Sequence, residues 1–194
     1  MLIPLSILVL AAAIIMAGCK ASRAGYESAP YKVVRSSGHF EVRDYAALRI
    51  VETPMTGGGS GADGSFNRLF RFITGANEGK QKIAMTTPVF MSGNDANATM
   101  AFVLPAKFQK GEVPRPKDGS LRVRELEAGR FAVLQYSGGR SASQEAATLE
   151  QLKTWMASEG MKVLSPPVYG YFDPPWTPGF IRRNEVMLRT GAGR

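Results

Sequence analysis

A pattern that occurs twice limits the folds open to this chain more than any other feature. Val42-Arg43-Asp44 has a counterpart in Val123-Arg124-Glu125, and Ala47, Arg49, Gly57 and Gly58 recur with the same spacing as Ala128, Arg130, Gly138 and Gly139. Each unit then supplies the same elements. Phe40 to Tyr45 alternates apolar and polar residues, as a half-buried strand does, and Leu48 to Thr53 follows as a second strand. Gly57 to Gly61 is a flexible loop without the Lys-Ser/Thr pair of a phosphate-binding loop. Ser65 is expected to cap a first helix and Gly75 to stop it. Phe66, Leu69, Phe70 and Ile73 fall at i, i+3, i+4 and i+7, one apolar stripe expected to face the core. Arg68 and Phe72 are also four apart but on another face. Ile83 to Met91 and Thr99 to Leu104 complete the first unit.

After a Pro- and Lys-rich connection from Pro105 to Ser120, Leu121 to Leu126 and Arg130 to Tyr136 are expected to form a strand pair. Ser141 with Gln144 reads as a capping box opening a helix that runs to about Ser158. Val163 to Tyr169 and Glu185 to Arg189 return to strand. Strand-strand-helix-strand-strand, twice over, predicts an α+β domain of two pseudo-symmetric halves, its sheet curving toward a barrel with two helices against it.

The N-terminus reads as targeting sequence. Leu2 to Met16 is apolar apart from Ser6, too short for a spanning helix, and ends in Met16-Ala17-Gly18-Cys19. This resembles a bacterial lipobox, with Met16 where Leu is usual and no basic residue ahead of the apolar run. The expected division is a signal peptide over 1–18, lipidation (palmitate-type acylation) of Cys19, a tether over 19–30 and a domain over 31–190. Such a lipoprotein sits at the cell envelope, membrane-bound through its lipid anchor. In a Gram-negative host Lys20 favours the outer membrane, facing the periplasm. Cys19 is the only cysteine, so its acylation leaves the domain without disulfides, thiolate nucleophiles or zinc-thiolate sites.

Lys and Arg number 24 against 16 acids, a formal charge of +8, which attracts anions without choosing among them. The charge is dispersed, with no basic arm, so nucleic acid is not an expected partner. His39 is the only histidine, which excludes a His-rich metal site and an HExxH motif. No GxGxxG fingerprint is present either. The chain is therefore expected not to be an enzyme.

The residues that remain suit a flat amphipathic anion, with rings for its faces and cations for its carboxylates. Arg68 and Phe72 offer one of each. Tyr171, Trp176, Phe180, Arg182 and Arg183 stand in or beside a loop stiffened by Pro174, Pro175 and Pro178, which lowers the entropy lost on closing over a ligand. Replacing Arg182 and Arg183 together by Glu is expected to weaken binding of such an anion while the fold survives.

Several stretches, in order, carry a family resemblance: Phe40-Glu41-Val42-Arg43-Asp44-Tyr45, the Phe66 to Glu78 helix and turn, Lys82-Ile83-Ala84-Met85-Thr86-Thr87-Pro88-Val89, Asp173-Pro174-Pro175-Trp176, and Arg182-Arg183-Asn184-Glu185-Val186. With them the chain, from Tyr31 to about Arg189, resembles the SOUL family of haem-binding proteins. The resemblance implies a distorted antiparallel β-barrel of two pseudo-symmetric halves with two flanking helices. It also implies haem as cofactor, held in a shallow apolar cleft beside the first helix and the late loop by a carrier, buffer or sensor. Where some family members place a histidine, this chain has Asp44. His39 falls on the opposite strand face if the strand is regular, and next to Gly38 it reads as a solvent-facing turn residue. Tyr171 or Tyr169 could ligate ferric iron as phenolate. The economical expectation is that no strong axial ligand exists. The alternative to haem binding is an effector-like domain that takes other small amphiphiles or a protein partner.

Overall fold

The two units merge into one sheet. The computed structural model describes residues 25–56, 63–93 and 97–191; the leader, Cys19 and the Gly57 to Gly61 loop lie outside the described residues. Its strands are β1 (Glu27–Ser28), β2 (Tyr31–Ser37), β3 (Phe40–Tyr45), β4 (Leu48–Pro54), β5 (Thr86–Thr87), β6 (Val89–Ser92), β7 (Thr99–Val103), β8 (Arg122–Leu126), β9 (Gly129–Tyr136), β10 (Val168–Tyr171) and β11 (Asn184–Thr190). Its helices are α1 (Ser65–Ile73), the short α2 (Ala106–Gln109) and α3 (Ala142–Ser158). Nine strands join in the order β2-β3-β9-β11-β10-β6-β7-β4-β8, each neighbouring pair antiparallel. They form a curled half-barrel, as the α+β expectation required.

From β3 to β8 the order is a palindrome of the two units, with one exchange. The first strand of each unit is lent to the other: β3 pairs with β9, and β8 pairs with β4. The expected pairing of Leu121–Leu126 with Arg130–Tyr136 is therefore corrected. A two-residue hairpin needs positive φ, which Gly or Asn supplies readily. Neither Ala46-Ala47 nor Glu127-Ala128 offers such a residue, so the chain crosses to the other unit instead. Gly38, at φ 61, does make the hairpin between β2 and β3, where Ser37 stands opposite Phe40.

The two faces of the sheet differ. On one, α1 packs Leu69, Phe72 and Ile73 against Val51, Met100 and Phe102, while α3 packs Leu152 and Met156 against Ala132, Leu134, Val186 and Leu188. On the other, Leu48, Ile50, Phe90, Ala101, Val103, Val133 and Met187 form a separate apolar layer. Both long helices thus lie on the same side. Among the described residues every strand and all three apolar layers fall within 27–190, so the domain owns its core. Part of the expected tether is tied into it: Glu27–Ser28 runs parallel to Thr86–Thr87, and Ala29 is buried.

The helix ends follow from local hydrogen bonding. Asp63, not Ser65, does the capping work at α1. Its carboxylate accepts the Ser65 N–H at 3.1 Å and the Thr56 N–H at 2.7 Å, with Gly64 left-handed between them (φ 81). Ser65 is buried against the sheet, its hydroxyl 3.7 Å from the Met100 sulfur, and so is unavailable as a cap. Gly75, at φ 116, ends this helix as expected. At α3 the Ser141 hydroxyl accepts the Gln144 N–H at 3.2 Å, but the Gln144 side chain turns to the Ser137 carbonyl, leaving half of the capping box.

Candidate functional site

The motif residues meet first in an ion-pair network. Arg43 on β3 and Glu185 on β11 are 142 residues apart in sequence and both fully buried. They meet across the intervening β9 in a two-pronged contact: Arg43 Nη1 donates to Glu185 Oε2 at 2.8 Å and Nη2 to Oε1 at 3.0 Å. Arg43 Nε also donates to Glu41 at 2.6 Å. Burial disfavours the Arg43 charge, but the Glu185 hydrogen bonds and negative charge outweigh it and hold the guanidinium firmly protonated. Arg183 reaches the same carboxylate at 2.6 Å and donates to the Tyr31 hydroxyl at 3.1 Å, with its guanidinium 4.2 Å above the Phe172 ring. Two of the stretches that carry the resemblance, Phe40 to Tyr45 and Arg182 to Val186, therefore hold β2, β3 and β11 together.

That network changes the reading of several expected site residues. Arg183 is not a spare cation for a ligand. Arg182 binds its own loop, donating from Nε to the Thr177 carbonyl at 2.7 Å and from Nη2 to that of Pro175. Replacing both by Glu would place a third carboxylate beside Glu185 and Glu41, so the expectation that the fold survives this change is withdrawn. Arg68 is likewise occupied, donating to Thr53 Oγ1 at 3.1 Å and the Pro54 carbonyl at 2.7 Å, with the Asp63 carboxylate 3.8 Å away. Burial alone would raise the Asp63 carboxyl; hydrogen bonds from Ser65 and Thr56, with Arg68 nearby, bring it down to about 2.

Phe72 is 0% exposed and belongs to the core, whereas Phe66 and Phe70 stand exposed and stack on each other with centroids 6.0 Å apart. The expected face of α1 is reversed for these residues. Two stripes share Leu69 and Ile73. The one containing small, buried Ser65 lets the helix approach the sheet closely and takes Phe72 with it. Exposed Arg71 follows Phe70 on this helix. The apolar spacing places Phe66 and Phe70 in the core; the structure leaves both exposed. Their i, i+4 aromatic spacing was the available signal.

The late loop keeps the role its prolines implied. Gly138 N–H donates to the Gly179 carbonyl at 2.9 Å, Arg183 N–H to Asp173 at 2.6 Å, and Thr177 N–H to the Pro174 carbonyl at 3.0 Å. On this fixed frame Trp176 is 79% and Phe180 73% exposed, two rings held out to solvent. Tyr171, at the loop's entrance, donates to Glu145 Oε1 at 2.5 Å. Burial first, then the neighbouring Tyr136 and Glu145, push its phenol far above the ordinary value. Its hydroxyl is already engaged as a donor to Glu145. Tyr169, also raised by burial, spends its hydroxyl on the Glu145 carbonyl at 3.3 Å. His39 sits exposed at the tip of the β2–β3 hairpin, the turn position expected of it. Among the described residues no three His, Cys, Asp or Glu side chains gather as a metal site, and no helix is long and apolar enough to cross a membrane.

Fold and surface together define a pseudo-symmetric α+β module presenting aromatic rings on a rigid loop and on one helix. A family model described as "SOUL heme-binding protein" matches residues 26–189. The chain belongs to the SOUL heme-binding protein family. Relatives include Heme-binding protein 1 of Sus scrofa, 32% identical over 62% of this chain and 67% of that protein. Heme-binding protein 2 of Homo sapiens is 28% identical over 82% of each. The fold is shared more widely. The EcmrR C-terminal domain superposes with a TM-score of 0.57 at 12% identity, covering 83% of this chain and 98% of that one. A hydrolase from Listeria innocua gives 0.58 at 9% identity, covering 81% and 94%. At such identities the likeness is one of fold alone.

Proposed function

We propose that this protein binds haem or a related tetrapyrrole without transforming it, as an envelope-anchored carrier, buffer or sensor. Family membership and the names of its relatives support the ligand class. The observation that carries the reading here is the pair Trp176 and Phe180, exposed on a loop already fixed by its own hydrogen bonds. Rings presented this way stack on a flat macrocycle at little entropic cost. Phe66 and Phe70 of α1 offer a second aromatic surface. Binding through faces and carboxylates, with no strong iron ligand, leaves the tetrapyrrole free to exchange.

Absorbance titration with haemin and with metal-free protoporphyrin tests this. Both bind one-to-one with a modest Soret shift, and the macrocycle spectrum persists when a reductant is added. Trp176→Ala combined with Phe180→Ala weakens both by at least about ten-fold, near 1.4 kcal/mol. Phe66→Ala with Phe70→Ala is the parallel comparison. Absence of saturable binding by the wild type would refute the tetrapyrrole reading, and a ligated spectrum for haemin alone would refute its ligand-free form.

A further inference from the structure

The face of the sheet opposite α1 and α3 holds an open groove that the tetrapyrrole reading does not use. It lies where the two units meet, and the matched positions Tyr45 and Leu126 both line it. Its walls are Leu48, Phe90, Leu126, Phe131, Val168 and Met187, all apolar. An apolar recess bounded by aromatic and aliphatic side chains favours an apolar body over water.

Two polar side chains at the groove, Tyr45 and Arg189, are donors. Tyr45 accepts from Arg43 Nη1 at 3.2 Å, and its own O–H is directed at the Met187 sulfur at 3.8 Å, a weak acceptor. Burial pushes this phenol up to about 12, so it stays a neutral donor. Arg189 lies over the Phe131 ring at 5.0 Å and uses two of its N–H groups on the Ala128 and Glu127 carbonyls at 2.9 Å. A guanidinium has five, which leaves donors for a ligand. The Glu127 side chain at the rim is exposed and solvated. The groove therefore pairs an apolar channel with hydrogen-bond donors and a positive charge.

We propose that this groove is a second ligand site, independent of the tetrapyrrole surface, for an amphiphile with an apolar chain and a carboxylate head: a long-chain fatty acid by chemical class. The chain lies against Phe90, Phe131 and Val168, and the carboxylate accepts from Tyr45 and Arg189.

The test uses residues 20–194, which hold every strand and the whole described core. The fluorescent probe anilinonaphthalene sulfonate is bound and then displaced by dodecanoate, dodecanol or dodecyltrimethylammonium. Dodecanoate displaces it at least ten-fold more effectively than the cation, with dodecanol between them. Tyr45→Phe reduces dodecanoate binding several-fold and leaves dodecanol unchanged. Ala46→Trp, at an exposed rim position outside the core, abolishes displaceable probe binding while thermal unfolding and haemin binding stay as in the wild type. Equal displacement by the three head groups, or undiminished binding in Ala46→Trp, overturns the proposal. Parallel loss of haemin in Ala46→Trp also overturns it, by making the groove the tetrapyrrole seat. Failure of haemin to bind the wild type bears on the tetrapyrrole reading alone.

Discussion

Glu185 accepts from two arginines on one fully buried carboxylate, and its loss should be felt throughout the sheet. Glu185→Gln keeps the shape but takes the buried counter-charge from Arg43 and Arg183, leaving Arg43 only Glu41. The expected cost is about 3–5 kcal/mol, read from urea unfolding, because breaking a buried ion pair is far costlier than losing a surface pair. A loss below about 1 kcal/mol would show that the network contributes little. The residues themselves were legible in the sequence as parts of the family motifs. Their role was not, since positions 142 apart become neighbours only through the β3–β9–β11 arrangement. The same holds for Arg182 and Arg183. Side by side in sequence they read as a cationic clamp, but one is spent on Glu185 and the other on loop carbonyls.

At the scale of the element, α1 shows how a short helix can be found correctly and oriented wrongly. Its limits were legible because Gly75 must terminate it and the apolar spacing must begin near Ser65. Two apolar stripes were available within so few residues, and neither propensity nor period chooses between them. The sheet chooses, by accepting Phe72 between Leu69 and Ile73. Phe72→Ala should therefore destabilise by about 3–5 kcal/mol, while Phe70→Ala stays within about 0.5 kcal/mol. Chemical denaturation of the two variants side by side measures the difference. Equal effects would contradict the assigned face. The late loop was read more accurately, since prolines fix a backbone locally and need no partner to do so.

For the whole molecule, the exchange of β3 and β8 joins two similar units through shared strands. Neither unit completes its own part of the sheet. The anchoring proposed for the N-terminus is a property of the full chain. Cys19→Ala should move the protein from the membrane to the soluble fraction of a lipoprotein-processing host, with the tetrapyrrole affinity of the domain unaltered. Retention of Cys19→Ala on membranes would argue against a lipid anchor.

The sequence alone determined the family, the doubled α+β plan, the limits of both long helices, the rigid aromatic loop and the solvent position of His39. Each of these rests on local rules of spacing, capping and backbone stiffness, or on motifs that need no partner to be recognised. Which strands pair, which face of α1 is buried, which arginines are already engaged, and the groove opposite the helices were decided by tertiary structure. Those outcomes depend on contacts between distant residues, where burial and charge pairing, rather than local preference, set the lowest free energy.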